Sequence, residues 1–178
     1  MPHWSALSDD NFNELLRLTR MYHREARRCE HAKSYLPGCI MAGAALEALL
    51  VTMLHLYGDE LESSAVATSK GKPKRLLDWT LAEMLKAARN ANWLPAGLDL
   101  GGEWNAKRAR IGDYAEVLRQ IRNLIHPSRY LHDQSPARIT KKYLTSSIDI
   151  FEAASSHLET KVHESLRNDM ERERQASS

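Results

Sequence analysis

The chain has 178 residues, the size of one domain with a single substantial core. Hydrophobic residues make up 43% and charged residues 27%, which excludes a disordered chain; glycine and proline are few, at 8 and 6, which favours helix. The formal charge of +2 is too small to mark a polyanion binder by net charge alone.

The two cysteines, Cys29 and Cys39, match no metal-ligand spacing, and with helix-like sequence around each they are expected as reduced, buried small side chains. The first residues, Met1-Pro2-His3-Trp4-Ser5, lack a basic region followed by an apolar core, so no secretory leader is predicted. The segment 39–56 is the one apolar run of note. It carries Glu47 and His55 and barely reaches the ~18–20 residues that a bilayer crossing needs, so a buried core helix in a soluble, cytoplasmic protein is expected.

Ser8-Asp9-Asp10 supplies capping residues for a first helix, in which Phe12, Leu15, Tyr22, Ala26 and Cys29 share one face. Its other face mixes Arg17, Arg20, Arg24, Arg27 and Arg28 with Glu14, Glu25 and Glu30, which predicts a solvated face rather than an RNA-contacting stripe. Leu36-Pro37-Gly38 is expected to interrupt that helix, with Pro37 as first residue of a second helix over about 37–57. The second helix is apolar on nearly all sides and should be central. Glu47 is its anomaly. An unpaired carboxylate there costs several kcal/mol, roughly, so an Arg or His from another helix should meet it.

Residues 58–74, rich in Ser, Thr, Gly and Lys, are expected as a mobile loop; Gly71-Lys72 lacks the remainder of a phosphate-loop pattern. A third helix is predicted over about 74–90, with Leu77, Leu81, Met84, Leu85 and Ala88 inward and Trp93 packed as a plug after it. A fourth carries Ile111, Tyr114, Leu118, Ile121 and Ile125 on one stripe and ends before Pro127. Ser135-Pro136 opens a fifth, whose seam is Leu144, Ile148, Phe151, Leu158 and Val162, broken only by Ser155 between Phe151 and Leu158. Residues 168–178 are expected to fray. No internal repeat or strand-like alternation is present. The expectation is one all-α domain over 1–178, an up-and-down bundle of about five helices.

The fourth predicted helix also carries chemistry. On a helical wheel Arg119, Arg122, Asn123 and His126 fall within about 100° of arc, beside the apolar stripe. Three such groups on one face repel unless something anionic neutralises them. An RNA phosphate is one candidate: His126 can move a proton near neutral pH, the arginines can hold the developing phosphorane charge, and Asn123 can orient the phosphate or the imidazole. One His per chain is a sparse acid–base set, which a symmetric dimer would complete. Glu47 is the other candidate, in which case the set fastens two helices. His and Asn near a helix end also serve backbone and dipole alone. Sequence-specific DNA binding finds little support, since the basic residues are scattered and no helix-turn-helix spacing stands out.

The run Leu118-Arg119-Gln120-Ile121-Arg122-Asn123-Leu124-Ile125-His126-Pro127 resembles the signature of HEPN-domain proteins, the higher eukaryote and prokaryote nucleotide-binding helical bundles. Gly43-Ala44-Ala45-Leu46-Glu47-Ala48-Leu49-Leu50 is similar to the second helix of their prokaryotic members, and Leu77-Asp78-Trp79-Thr80-Leu81 fits relatives with an Arg-Asn-x-Ile-His-Pro ending. The resemblance spans about 15–166 and is specific only in the fourth helix. It implies a helical homodimer with metal-independent ribonuclease or RNA-binding activity, of toxin or phage-defence type, needing no cofactor and paired with an antitoxin or defence-system protein. By position it implies His126, Arg122, Arg119 and Asn123 as catalytic residues, with Glu47, Arg129 and Tyr130 around the substrate. Six residues separate Arg119 from His126, as the family motif asks, whereas only three separate Arg122 from it.

Overall fold

A computed structural model describes residues 2–91, 93 and 140–176, and among them the chain is mostly helical. Four α-helices carry the fold: α1 Asp9–His31, α2 Tyr35–Tyr57, α3 Leu81–Asn90 and α4 Lys141–Ala176. The fourth predicted helix lies outside the described residues.

α1 begins where its capping cluster predicts. The Ser8 hydroxyl accepts from the Asn11 N–H at 3.3 Å, Asp9 and Asp10 occupy the positive end of the helix dipole, and Arg28 and His31 occupy the negative end. Its stop differs from the expected break at Leu36-Pro37-Gly38. Lys33 turns into the left-handed region at φ 56°, while Ser34 N–H donates to Cys29 O at 2.8 Å and Lys33 N–H to Glu30 O at 3.1 Å. That pair of bonds is a Schellman closure, built on lysine where glycine is usual. Pro37 therefore sits in the first turn of α2, where a missing N–H costs no intrahelical bond.

α2 is the core. Leu46, Leu50 and Leu54 are fully buried, each contributing about 1.5–3 kcal/mol by leaving water. The chain reverses through 32–34, so α1 and α2 are antiparallel neighbours. α4 lies parallel to α2, with Leu144 against Gly38 and the Ser147 hydroxyl 3.7 Å from Cys39 Sγ. The expected seam is seen: Leu144, Ile148, Phe151 and Leu158 are buried, and Ser155 and Val162 half-buried. Both cysteines are free thiols, Cys39 buried and Cys29 half-buried. The stretch Tyr35–Glu60 is long and apolar enough to cross a membrane, but it is mostly buried inside the bundle, as a core helix is.

Two expectations change at the far end. Residues 58–74, expected as a mobile loop, hold 3-10 turns over Gly58–Glu60 and Ser63–Ala65 and a two-residue antiparallel pairing of Thr68–Ser69 with Lys72–Pro73. Lys70 and Gly71, at φ 51° and 74°, make the turn between them. α3 starts seven residues later than the predicted 74, because Thr80 caps it. The Thr80 hydroxyl accepts from Glu83 N–H at 3.3 Å and the Glu83 carboxylate accepts from Thr80 N–H at 2.7 Å. Leu77 then falls in a 3-10 turn, 58% exposed, rather than on an inner helical face. Trp79 is buried instead, stacked on Trp4 with centroids 5.0 Å apart. Trp93 is fully buried and donates its indole N–H to Glu60 at 3.0 Å, the plug that was expected.

Candidate functional site

Of the residues singled out in the sequence, Arg119, Arg122, Asn123, His126, Arg129 and Tyr130 lie outside the described residues. Glu47 is placed. It stands on α2 between buried Leu46 and Ala48, in line with Ile40 and Ala44, and all three of this row are half-buried. Its carboxylate is half-buried and is not an isolated charge, as the cost of burial requires.

A polar constellation that the sequence did not announce joins α1 to α4. His23, Arg27 and Glu30 follow one another at spacings of four and three along α1, and Thr145, Asp149 and Glu152 do the same along α4. The helices run antiparallel here, so the rows face each other in reverse order. Arg27 donates one Nη to Glu152 Oε1 at 2.6 Å and the other to Glu30 at 3.1 Å. His23 Nε2 lies 2.8 Å from the same Glu152 oxygen, and a carboxylate only accepts, so the imidazole proton is on that nitrogen. Thr145 donates its hydroxyl to Glu30 at 2.8 Å, and the His23 ring rests on Phe151 with centroids 4.8 Å apart.

The charges within this row are tuned by position. The Thr145 hydroxyl, with help from Arg27, holds the Glu30 carboxyl below its usual range despite partial burial. Burial opposes the Arg27 charge, but its hydrogen bonds to Glu152 and Glu30 outweigh it and raise the guanidinium further. Asp149 goes the other way, pushed up by burial and by neighbouring Glu152, with Arg27 opposing. Among the described residues no cluster of His, Cys, Asp and Glu is arranged to hold a metal ion. The half-exposed side chains limit each ion pair to roughly 0–1 kcal/mol, so the constellation sets the register of α1 on α4 more than it stabilises.

The same pairing settles the arginine face of α1. Arg17 is held by Glu14, Arg28 by Glu25 and Arg27 by Glu30 and Glu152, which is the solvated, internally balanced face predicted. Arg20 and Arg24 have no acidic partner among the described residues.

Beyond the His23–Glu152 crossing, α1 and α4 splay apart over α2 and leave an open groove of about 410 Å³. Leu49, Met53 and Leu56 of α2 form its floor; Phe12 and Leu16 of α1 and Phe151, Leu158 and Val162 of α4 form its walls. Most of its polar lining is already committed. Thr19 and Thr52 donate back to their own helices, His23 is held by Glu152, and Ser155 donates to Glu159. Arg20 is the uncommitted group at the rim.

The sequence signal for the α1–α4 constellation exists only in retrospect, as two rows of equal spacing and complementary chemistry on helices more than a hundred residues apart. Comparison of the chain with protein-family models, with curated proteins and with solved structures returned no match.

Proposed function

We propose that the chain is a HEPN-like helical bundle of about five helices that acts on RNA as a homodimeric, metal-independent ribonuclease or RNA-binding protein of a toxin or phage-defence system. One feature of the sequence carries the proposal: on a helical wheel Arg119, Arg122, Asn123 and His126 fall on one arc, just before Pro127. The helical architecture of the described residues is compatible with it and supplies Glu47 on the central helix.

In this reaction the 2′-hydroxyl of one nucleotide attacks the adjacent phosphorus. His126 takes the hydroxyl proton, the new P–O bond forms, and the bond to the 5′-oxygen breaks. A protonated imidazole, from the partner subunit or from the same residue after the first transfer, returns a proton to that leaving oxygen. The products are a 2′,3′-cyclic phosphate and a 5′-hydroxyl. Arg119 and Arg122 neutralise the pentacoordinate phosphorus, and Asn123 fixes its orientation. The chemistry draws on no cofactor. A cytoplasmic setting, with an antitoxin or defence-system partner protein, belongs to the same proposal.

The alternative is a non-catalytic helical interaction module in which the Arg-Asn-His set is structural. The α1–α4 constellation favours it, because there an Arg and a His of α1 are both held by Glu152 of α4, the Arg also by Glu30 of its own helix. The two separate cleanly when purified protein and its His126→Ala variant are incubated with mixed RNA in EDTA. Cleavage leaving cyclic-phosphate ends, lost in the variant, is expected of the ribonuclease. Equal cleavage by both proteins, or none by either, sinks the catalytic assignment and leaves the interaction module.

A further inference from the structure

α4 is much longer than the helices it packs on. Its 36 residues span about 54 Å, against about 35 Å for the 23 residues of α1 or α2. The last anchors of α4 on the bundle are Lys161, paired with Glu60 at 2.9 Å and lying over the Tyr57 ring, and half-buried Val162. Past this point the helix continues to Ala176 as an overhang. Among its described side chains only Ser165 is even partly covered, while Leu166 and Met170 are 56% and 55% exposed.

These two side chains are not scattered surface hydrophobes. Val162, Leu166 and Met170 follow at four-residue intervals, so the apolar wall of the groove runs without a break onto the overhang. The chain thus carries both an open apolar groove and an unburied apolar helical ridge, joined at Val162. They cannot meet within one molecule, because a straight helix cannot fold back on itself.

We propose that the ridge of one copy occupies the groove of a second copy, and the reverse, about a two-fold axis near Val162. Two α4 helices then lie antiparallel. Leu166 and Met170 of each copy then reach the part of the other's groove lining that is still accessible, half-buried Leu16, Leu49 and Ser155 and exposed Leu56. The lengths agree: the groove wall from Phe151 to Val162 is about 17 Å long, and the fourteen-residue overhang about 21 Å. The contact is isologous and closes at two subunits. Charge permits it, since the rim offers one group of each sign, Arg20 and Glu159, and the overhang bears both Arg167 and Glu171 on its flanks. An amphipathic helix laid in an apolar groove is also a standard mode of recognition, and here the partner helix is supplied by the chain itself. The inference uses no residue of the Arg119, Arg122, Asn123 and His126 set, and stands whether or not that set cleaves RNA.

Sedimentation velocity over a concentration series tests it. The chain should be dimeric, and Leu166→Glu/Met170→Glu should weaken the dimer at least tenfold; both positions are exposed, so the monomer fold, read by circular dichroism, should be unaffected. Leu16→Glu, in the groove wall, should weaken it similarly. A reciprocal contact makes one further demand. Mixing the Leu16→Glu protein with the Leu166→Glu/Met170→Glu protein should restore association, because one intact ridge then meets one intact groove. A monomeric wild-type chain, a dimer indifferent to the ridge substitutions, or no gain on mixing each overturns the inference. Assaying RNA cleavage by the same variants keeps the two proposals apart, since a dimer without cleavage defeats only the ribonuclease, and cleavage by a wild-type monomer defeats the interface and the dimeric form of the ribonuclease while leaving its catalytic residues standing.

Discussion

Gly38→Ala is a small change with a calculable sign. Gly38 is in the second turn of α2, directly under α4. A methyl group there would stand 2.6 and 2.7 Å from the two δ-carbons of Leu144 and 3.0 Å from Cys29 Cβ. Carbon atoms rest about 3.5–4.0 Å apart, so Leu144 must retreat by about 1 Å. It is fully buried and has nowhere empty to go, and Cys29 Cβ moves only if the α1 backbone moves. Overpacking of this kind costs about 1–3 kcal/mol. Against it, replacing glycine in a helix gains about 0.5–1 kcal/mol from the unfolded chain. The difference is a net loss of about 0–2.5 kcal/mol, a drop in Tm of up to about 10 °C at this size. Urea denaturation followed by circular dichroism measures it. The Leu144→Ala background supplies the control: it costs about 2–5 kcal/mol by itself, but opens the space the new methyl needs. In that background Gly38→Ala should be neutral or stabilising. A stabilised single variant, or the same loss in both backgrounds, would refute the packing argument.

Two other substitutions have defined outcomes. Thr80→Ala removes one half of the capping box and should cost about 1 kcal/mol, seen as a lower urea midpoint at unchanged slope; no loss would mean that α3 does not depend on its cap. Asp149→Asn tests the acid row between α1 and α4. A carboxyl whose folded pKa is raised binds more protons in the folded state, so its contribution to stability falls as pH rises through the raised value. Asp149→Asn should therefore raise the unfolding midpoint at neutral pH and leave it unchanged below the ordinary carboxylate range. For Glu30 the shift is downward, so Glu30→Gln should cost stability at neutral pH, with the deficit vanishing as pH falls through the depressed value. A midpoint difference independent of pH in both variants would contradict the assignment.

The parts of the fold legible in the sequence are those decided by local chemistry. Ser8 with two aspartates marked the start of α1, and the four-and-three rhythm of Leu144, Ile148, Phe151 and Leu158 marked the buried face of α4. The apolar surround of Leu46 marked α2 as central. Errors arose where a residue fills a role usually given to another type. Lys33 takes the left-handed position that glycine ordinarily holds, which hid the true end of α1 and moved the break to Pro37. At α3 the Thr80–Glu83 capping box sets the start at 81, and Leu77, expected on the inner face of a helix from 74, falls in the turn before it. Of the candidate site, only Glu47 falls among the described residues, half-buried on α2. The other named residues fall outside the described ones, and the α1–α4 constellation depends on residues 115 to 129 positions apart, which no window of sequence brings together.

The turn at Lys33 and the long reach to α4 also set an order of assembly. In the unfolded chain, three residues separate α1 from α2, while about 80 separate α2 from α4. Bringing the distant pair together costs roughly 3 kcal/mol more in chain entropy. The hairpin of α1 and α2 is thus the cheaper nucleus, and it displays most of the apolar surface of α2 until α4 arrives. On this account substitutions within the hairpin interface, such as Ala26→Gly, slow folding. Those on the α4 face, such as Ile148→Val, chiefly hasten unfolding. A helix that docks last also leaves first, and residence on the bundle becomes the step that governs how long the folded molecule endures.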